Sequence, residues 1–358
     1  MREFGSEHPA IVLPDGYFDT FGEYRREVLF LRSGREALLL AALTCKDLSA
    51  GIDTATILFP AYCCWSMSAP FEKAGWRVVY YRLNEDLTVD TDFLIQLLEQ
   101  NKPQAVLTMN FFGSAPTDKA VEIVKSYNDK VVVIEDFSHC TFSLKYIHNP
   151  KVDIYISSIR KSIGVCDGSV ILSHIPLKKE LIQREVKDFA EIRYAAQVEK
   201  GRYRWNNNQM KKREFLNGIR EGEEIINRFD AVRPISERAK QMLRLVNGQE
   251  IAYARRENMR HLMQLLYGKV RMVPKLERCL KNAPFSLPIL VENRDEVQGL
   301  LAKDGVYAPV LWPISEEAKK VCVISKMMGE EMLSIPIDQR YDWDDMELIA
   351  ERILKVLS

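Results

Sequence analysis

The chain has 358 residues, 47% hydrophobic and 28% charged, the proportions of a soluble globular protein with a sizeable core. Its fifty basic and fifty acidic side chains cancel, leaving no electrostatic case for nucleic acid or an anionic membrane as the main partner. No stretch approaches the roughly 18 apolar residues of a membrane span. MREFGSEHPAIVLPDG lacks the apolar core of a secretory leader, so the expected compartment is the cytoplasm.

In chain order, LFLRSGREALLLAAL opens a helix. Ser33 followed by Glu36 has the spacing of a capping box and puts Gly34, Arg35 and Glu36 in the first turn. Short apolar runs then alternate with helical patterns. The runs are TILF (56–59), RVVYYRL (77–83), AVLTMNFF (105–112), VVVIED (131–136), DIYISSI (153–159) and GSVILS (168–173). Between them, WSMSAPFEKAG, TDFLIQLLEQN and TDKAVEIVKSYND have helical spacing. Such alternation predicts an α/β fold with a mostly parallel sheet covered by helices on both faces.

Beyond Ser173 the chain is charged and helical over 178–230, and Pro234 marks a break. A long helical segment from Ile235, strands at FSLPILVE, GVYAPVLWP and MLSIPID, and the amphipathic helix WDDMELIAERILKVL follow. The expected organisation is a large domain with an N-terminal arm over 1–234 and a smaller α+β domain over 235–358.

In parallel α/β sheets, ligands bind at the carboxyl ends of strands. Asp136 closes one apolar run and Lys161 follows another, 25 residues on. An amine to form a Schiff base and a carboxylate to keep a pyridine nitrogen protonated are what pyridoxal phosphate (PLP) needs. The free amides of the first helical turn at Ser33, Gly34 and Arg35 make an anion site for its phosphate, and Ser157 and Ser158 are further hydroxyl donors. His139 would reach the ring oxygen or a water beside it. Tyr62 and Trp65, after the first strand of the alternating set, are candidates for an aromatic plate over the ring. For each there is a plainer alternative: a solvated lysine, a capped surface helix, a structural histidine, core aromatics. The seven cysteines are scattered, with Cys63–Cys64 adjacent, and the five histidines form no ligand pair at helical spacing, so no metal site is expected. The basic stretch from Lys200 to Arg213 would grip an acidic substrate or form a solvated helix face.

Together RSGREALLLAAL, FPAYCCWSMSAPFEKAGWRVVYYRLNEDLTVD, TMNFFGSAPTD, VVVIEDFSHC, SSIRKSIGVCDGSVI, GVYAPVLWP and LSIPIDQRYDWDDMELIAERI resemble the fold-type-I PLP enzymes. They most closely resemble the sugar aminotransferases of the DegT/StrS family. The resemblance implies that Lys161 carries the cofactor, Asp136 pairs with its ring nitrogen, His139 sits by its ring oxygen, and Ser33, Gly34 and Arg35 hold its phosphate. It also implies a homodimer with shared active sites and transfer of an amino group from glutamate to a keto-sugar. The chain departs from the family pattern at Arg35, where threonine is usual, at Ser157, one residue closer to the lysine than usual, and at Leu311 before Trp312. The segment GRYRWNNNQ (201–209) is the candidate for the residues given to the neighbouring subunit. Two other readings remain open: a PLP lyase, dehydratase or desulfurase using Cys63, Cys64 or Cys166, and a catalytically degenerate scaffold or regulatory protein.

Overall fold

A computed structural model describes residues 4–5, 27–48, 51, 53–143, 148–184, 188–206 and 209–358, with the backbone alone at 5, 188, 204–206 and 209–211. In chain order the first half holds β1 (Phe4–Gly5), β2 (Glu27–Leu31), α1 (Gly34–Leu48), β3 (Thr56–Pro60), α2 (Trp65–Lys73), β4 (Arg77–Tyr81), α3 (Thr91–Asn101), β5 (Ala105–Met109), α4 (Asp118–Tyr127), β6 (Val132–Asp136), β7 (Ile154–Ser157) and β8 (Ser169–Ser173). Among the described residues seven of these strands form one sheet in the order β2-β8-β7-β6-β5-β3-β4. Neighbours from β7 to β4 pair in parallel, while β8 runs against both β7 and β2. Strands β3, β5, β6, β7 and β8 are buried at every residue, as expected of strands covered on both faces.

The six apolar runs of the sequence all fall on strands of this sheet. The seventh, β2, was missed: EVLFL was absorbed into the reading of the helix start that follows it. Its pairing with β8 brings Glu27 to Ser173 and Leu31 to Ser169, partners far away in sequence, which local pattern does not reveal.

The second half holds α5 (Asp188–Asn206), α6 (Gln209–Arg228), α7 (Glu237–Leu243), α8 (Gly248–Leu266), β9 (Arg271–Met272), β10 (Leu287–Leu290), α9 (Arg294–Lys303), β11 (Val306–Tyr307), α10 (Glu316–Val321), α11 (Val323–Glu331), β12 (Met332–Ile335) and α12 (Trp343–Leu357). Strands β9, β10 and β12 form an antiparallel sheet. The single long helix expected after Pro234 is two, because Asn247 accepts hydrogen bonds from the amides of Gln249 and Glu250 and so starts α8 afresh. GVYAPVLWP contributes only the short β11, whose partner is β1. Helices α5 and α6 pack together as a hairpin with its own small core of Ala196, Tyr203 and Phe215.

Arg255 on α8 fastens the two halves beside the lysine turn. It is fully buried and donates to the carbonyls of Ser162, Pro284 and Phe285 and to Gln339. Buried carbonyls left without donors cost about 1–3 kcal/mol each. Arg255→Met is therefore expected to lower unfolding free energy by about 3 kcal/mol or more in urea titrations; a change under about 0.5 kcal/mol would contradict this role.

Candidate active site

The site lies at the carboxyl ends of β6 and β7, which are adjacent and parallel, with Asp136 opposite Ile156. Asp136 is the last residue of β6, and Lys161 sits in a 3-10 turn at Ile159–Lys161 just beyond β7. Both side chains line one cavity of about 170 Å3, along with Ser33, Gly34, Arg35 and Ser158. The lysine turn returns to β8 through Gly168, whose φ of 135° favours glycine.

Asp136 is 5% exposed, and its Oδ1 accepts the Ser138 amide at 2.8 Å. Burial raises its pKa above the usual carboxylate value, against the opposing pull of Ser138 and Lys161. A cation placed against it would favour the charged form.

At the other end of the cavity, Ser33 begins α1, but the capping box takes a different form from the one expected. The Glu36 amide donates to Ser33 Oγ at 3.3 Å, and that hydroxyl donates in turn to Glu36 Oε2 at 2.9 Å. The Glu36 carboxylate also pairs with Arg32 rather than with the Ser33 amide. Glu36 thus engages the Ser33 hydroxyl both as donor and as acceptor, leaving the first-turn amides of Gly34 and Arg35 as the groups able to meet an anion. A Cβ on Gly34 would stand 3.3 Å from Ser158 Cβ, so the bare glycine sets how closely α1 approaches the lysine turn.

Arg35 reaches into the cavity, where its Nη1 lies 3.8 Å from Glu223 Oε2, and its Nε is buried with no hydrogen-bond acceptor among the described residues. Burial, and then the neighbouring Arg160, lower its pKa. Arg160 makes a two-armed pair with Glu223, at 2.7 and 3.3 Å, and Arg193 reaches the same carboxylate at 3.5 Å. Burial alone would raise the Glu223 pKa, but Arg160, then Arg193 and Arg35, bring it down to about 2.

A carboxyl depressed in the folded state stabilises the fold above its unfolded pKa and loses that contribution as pH falls through the folded value. Glu223→Gln is accordingly expected to be less stable than wild type by a constant margin above about pH 4.5. In thermal melts against pH the margin should close between there and about 2; a margin independent of pH would contradict the ion cluster.

Several expected site residues lie elsewhere. His139 is buried beside Trp312 and Phe285, stacking on each with ring centroids 5.3 Å apart. Its Nδ1 accepts the Phe112 amide. Burial, followed by the charge of Lys161, lowers its pKa to about 3, so the ring is neutral at ordinary pH and no proton carrier. Tyr62 is also buried beside Trp312 and Phe111, whereas Trp65 is 57% exposed against Phe229. The wall position expected of these aromatics is taken by Cys64, between them, and by Trp312. Ser157 bonds Thr141 at 2.8 Å instead of facing the cavity, while Ser158 does line it. The side chains of Arg204 and Asn206 and all of Asn207 and Asn208 lie outside the described residues.

Sequence reasoning missed Arg160 and Glu223, and weighed Cys64 as a sulfur carrier but not as part of the cavity wall. Arg160 and Cys64 flank predicted site positions, but Glu223 stands 63 residues beyond Arg160 on a surface-patterned helix and gives no local signal. A larger cavity of about 670 Å3 shares Arg160 and Lys161 with the small one. Its lining also includes Phe285, Tyr307, Asp338 and Arg340.

No protein-family model matches the sequence, and no curated protein matches it. Solved structures do match. PseC of Helicobacter pylori, an aminotransferase involved in the biosynthesis of pseudoaminic acid, superposes with a TM-score of 0.67 at 13% identity, over 99% of each chain. The chain has the fold of the type I PLP-dependent enzymes. A DegT DnrJ EryC1 StrS aminotransferase from Brucella abortus matches 94% of this chain and 86% of its own, with a TM-score of 0.62 at 15% identity. NtdA of Bacillus subtilis, solved with bound cofactor PMP, matches 93% of this chain and 74% of its own, with a TM-score of 0.62 at 16% identity. At these identities the likeness carries the architecture, and the chemistry has to be argued from the residues.

Proposed function

We propose that the protein is a PLP-dependent aminotransferase that moves an amino group from an amino acid, glutamate in the first instance, to a keto-sugar or related carbonyl acceptor. The observation that carries this reading is one cavity lined by Lys161, Asp136 and the first turn of α1, at the carboxyl ends of adjacent parallel strands. The aminotransferases among the solved structures of this fold support it.

The residues fit the cofactor. A buried carboxylate whose pKa burial raises suits a ring-nitrogen proton, and the close approach of Gly34 to Ser158 beside Arg35 suits a phosphate. When bound, PLP would supply an electrophilic aldehyde carbon and an electron sink. Lys161 Nζ would bind that carbon and later carry the proton between substrate and cofactor carbons. Asp136 would hold the proton on the ring nitrogen. The Gly34 and Arg35 amides and the Arg35 guanidinium would fix the phosphate, and Trp312, backed by His139, would wall the cavity against water. The larger cavity adjoining Lys161 would take the substrates.

A desulfurase would need a reactive thiolate. Burial raises the thiols of Cys63 and Cys166, the latter to about 12, and leaves Cys64 as the cavity-lining thiol of the three. Arg35, where the chain departs from the family pattern, would supply charge at the phosphate end. The homodimer and the cytoplasmic location belong to the same proposal; among the described residues no helix is long and apolar enough to cross a membrane.

The test is a half-reaction. Glutamate added to the PLP-loaded protein should convert the cofactor to its amine form with release of 2-oxoglutarate. Ammonia released from glutamate, sulfide released when cysteine is supplied instead, or no conversion with any amino acid of a panel, would sink the proposal.

A further inference from the structure

We propose that Arg160, gripped by Glu223 of the helical hairpin, is a second phosphate-anchoring cation beside Arg35, with Glu223 as its positioning residue. The inference rests on the PLP reading above and assigns a role to two residues that the sequence motifs leave out. Arg160 immediately precedes Lys161 in the same turn, with its side chain 10% exposed, and it lines both cavities. Glu223 takes its Nη1 and Nη2 in a fork, the geometry that fixes a guanidinium plane best. Arg35 approaches the same carboxylate from α1.

Two guanidinium groups this close repel each other, and Arg193 competes for the one carboxylate between them. Arg35 keeps a buried Nε without an acceptor among the described residues. The first-turn amides of α1 border the same space. A multiply charged anion answers all three conditions, and a phosphate monoester has that charge and enough acceptor oxygens to bridge both cations.

Packing holds Glu223 in place. Gly222 has no Cβ because one would come within 2.7 Å of Arg193 Cδ, so α6 lies tight on α5 there. Gln197 of α5 donates to the Val165 carbonyl just past the lysine turn. Lys212 of α6 donates to Tyr307 in the wall of the larger cavity at 2.6 Å. The hairpin is therefore fastened at both cavities by its own chain.

Spectral titration of the full-length protein with PLP and with pyridoxal, which lacks the phosphate, tests the assignment. Wild type should prefer PLP by about 100-fold or more, the range that charge-assisted phosphate contacts give. Arg160→Gln should cut that preference about tenfold or more while leaving pyridoxal affinity within about twofold, and Arg160→Lys, with charge but no fork, should fall between. Glu223→Gln should cut the preference by about threefold, and the double variant should be no worse than Arg160→Gln alone, as expected of a residue acting through another.

An unchanged preference in Arg160→Gln, with pyridoxal still bound, would overturn the anchoring role. Equal loss of both ligands in both Arg160 variants would make the residue structural. A higher preference in Glu223→Gln would mean that the carboxylate competes with phosphate and does not position its anchor. A wild-type protein that binds neither ligand would instead overturn the PLP reading underneath.

Discussion

Replacing Lys161 by alanine is expected to abolish the near-visible absorbance band that PLP gives the wild-type protein and to slow amino transfer by about 10⁴-fold or more. The lysine would have two tasks, covalent attachment of the cofactor and proton movement at carbon, and among the described residues no second lysine lines the small cavity. Arg160 beside it cannot substitute, because a guanidinium stays protonated and is no nucleophile. The variant should keep its fold, since the backbone of the turn is held by bonds that do not involve the side chain, from the Arg160 amide to Gly168 and from the Ser162 amide to Ile159. Absorbance titration and single-turnover assays read the two effects. A variant that retains half or more of the activity would assign the chemistry to another group.

Asp136→Asn has the second largest expected effect, a fall of about 10²–10³-fold in the rate of the half-reaction. The amide is nearly isosteric, and its oxygen can still accept from Ser138, so packing is preserved. What is lost is the negative charge that would keep a ring nitrogen protonated. Stability should move the other way. Burial raises the Asp136 carboxyl, so its ionised form costs the folded state something at neutral pH. Protein without cofactor should therefore melt at the same temperature as wild type or higher, an exchange of stability for function common at active sites. Loss of both stability and activity would point to a structural carboxylate instead.

How far the sequence could be read depended on whether a feature was local. Asp136 and Lys161 stand at the ends of apolar runs that become neighbouring buried strands, so pattern alone brought them to one edge of the sheet. Ser33 and Glu36 are three residues apart, and their bonding to each other could be expected, though Arg32 redirected the Glu36 carboxylate. The turn from Pro60 to Trp65 was harder. A difference of one position decides which of Tyr62, Cys64 and Trp65 points inward, and the backbone course of a turn is not written in hydrophobicity. His139 occupies the expected place in sequence, but Trp312, arriving from more than 170 residues later, stacks on its ring. Glu223 was the least legible, since its helix has the charged pattern of a solvated surface while three arginines from elsewhere converge on its carboxylate.

The pocket's claim to hold PLP at Lys161, with Asp136 serving its ring nitrogen, is tested most directly by trapping the bond. Purified protein is incubated with PLP, reduced with borohydride, digested and mapped by mass spectrometry. The account predicts one stoichiometric pyridoxyl phosphate adduct, on the peptide containing Lys161, with the Asp136→Asn variant labelled at the same residue. An adduct concentrated on another lysine, or none above the scatter of surface labelling, would contradict it.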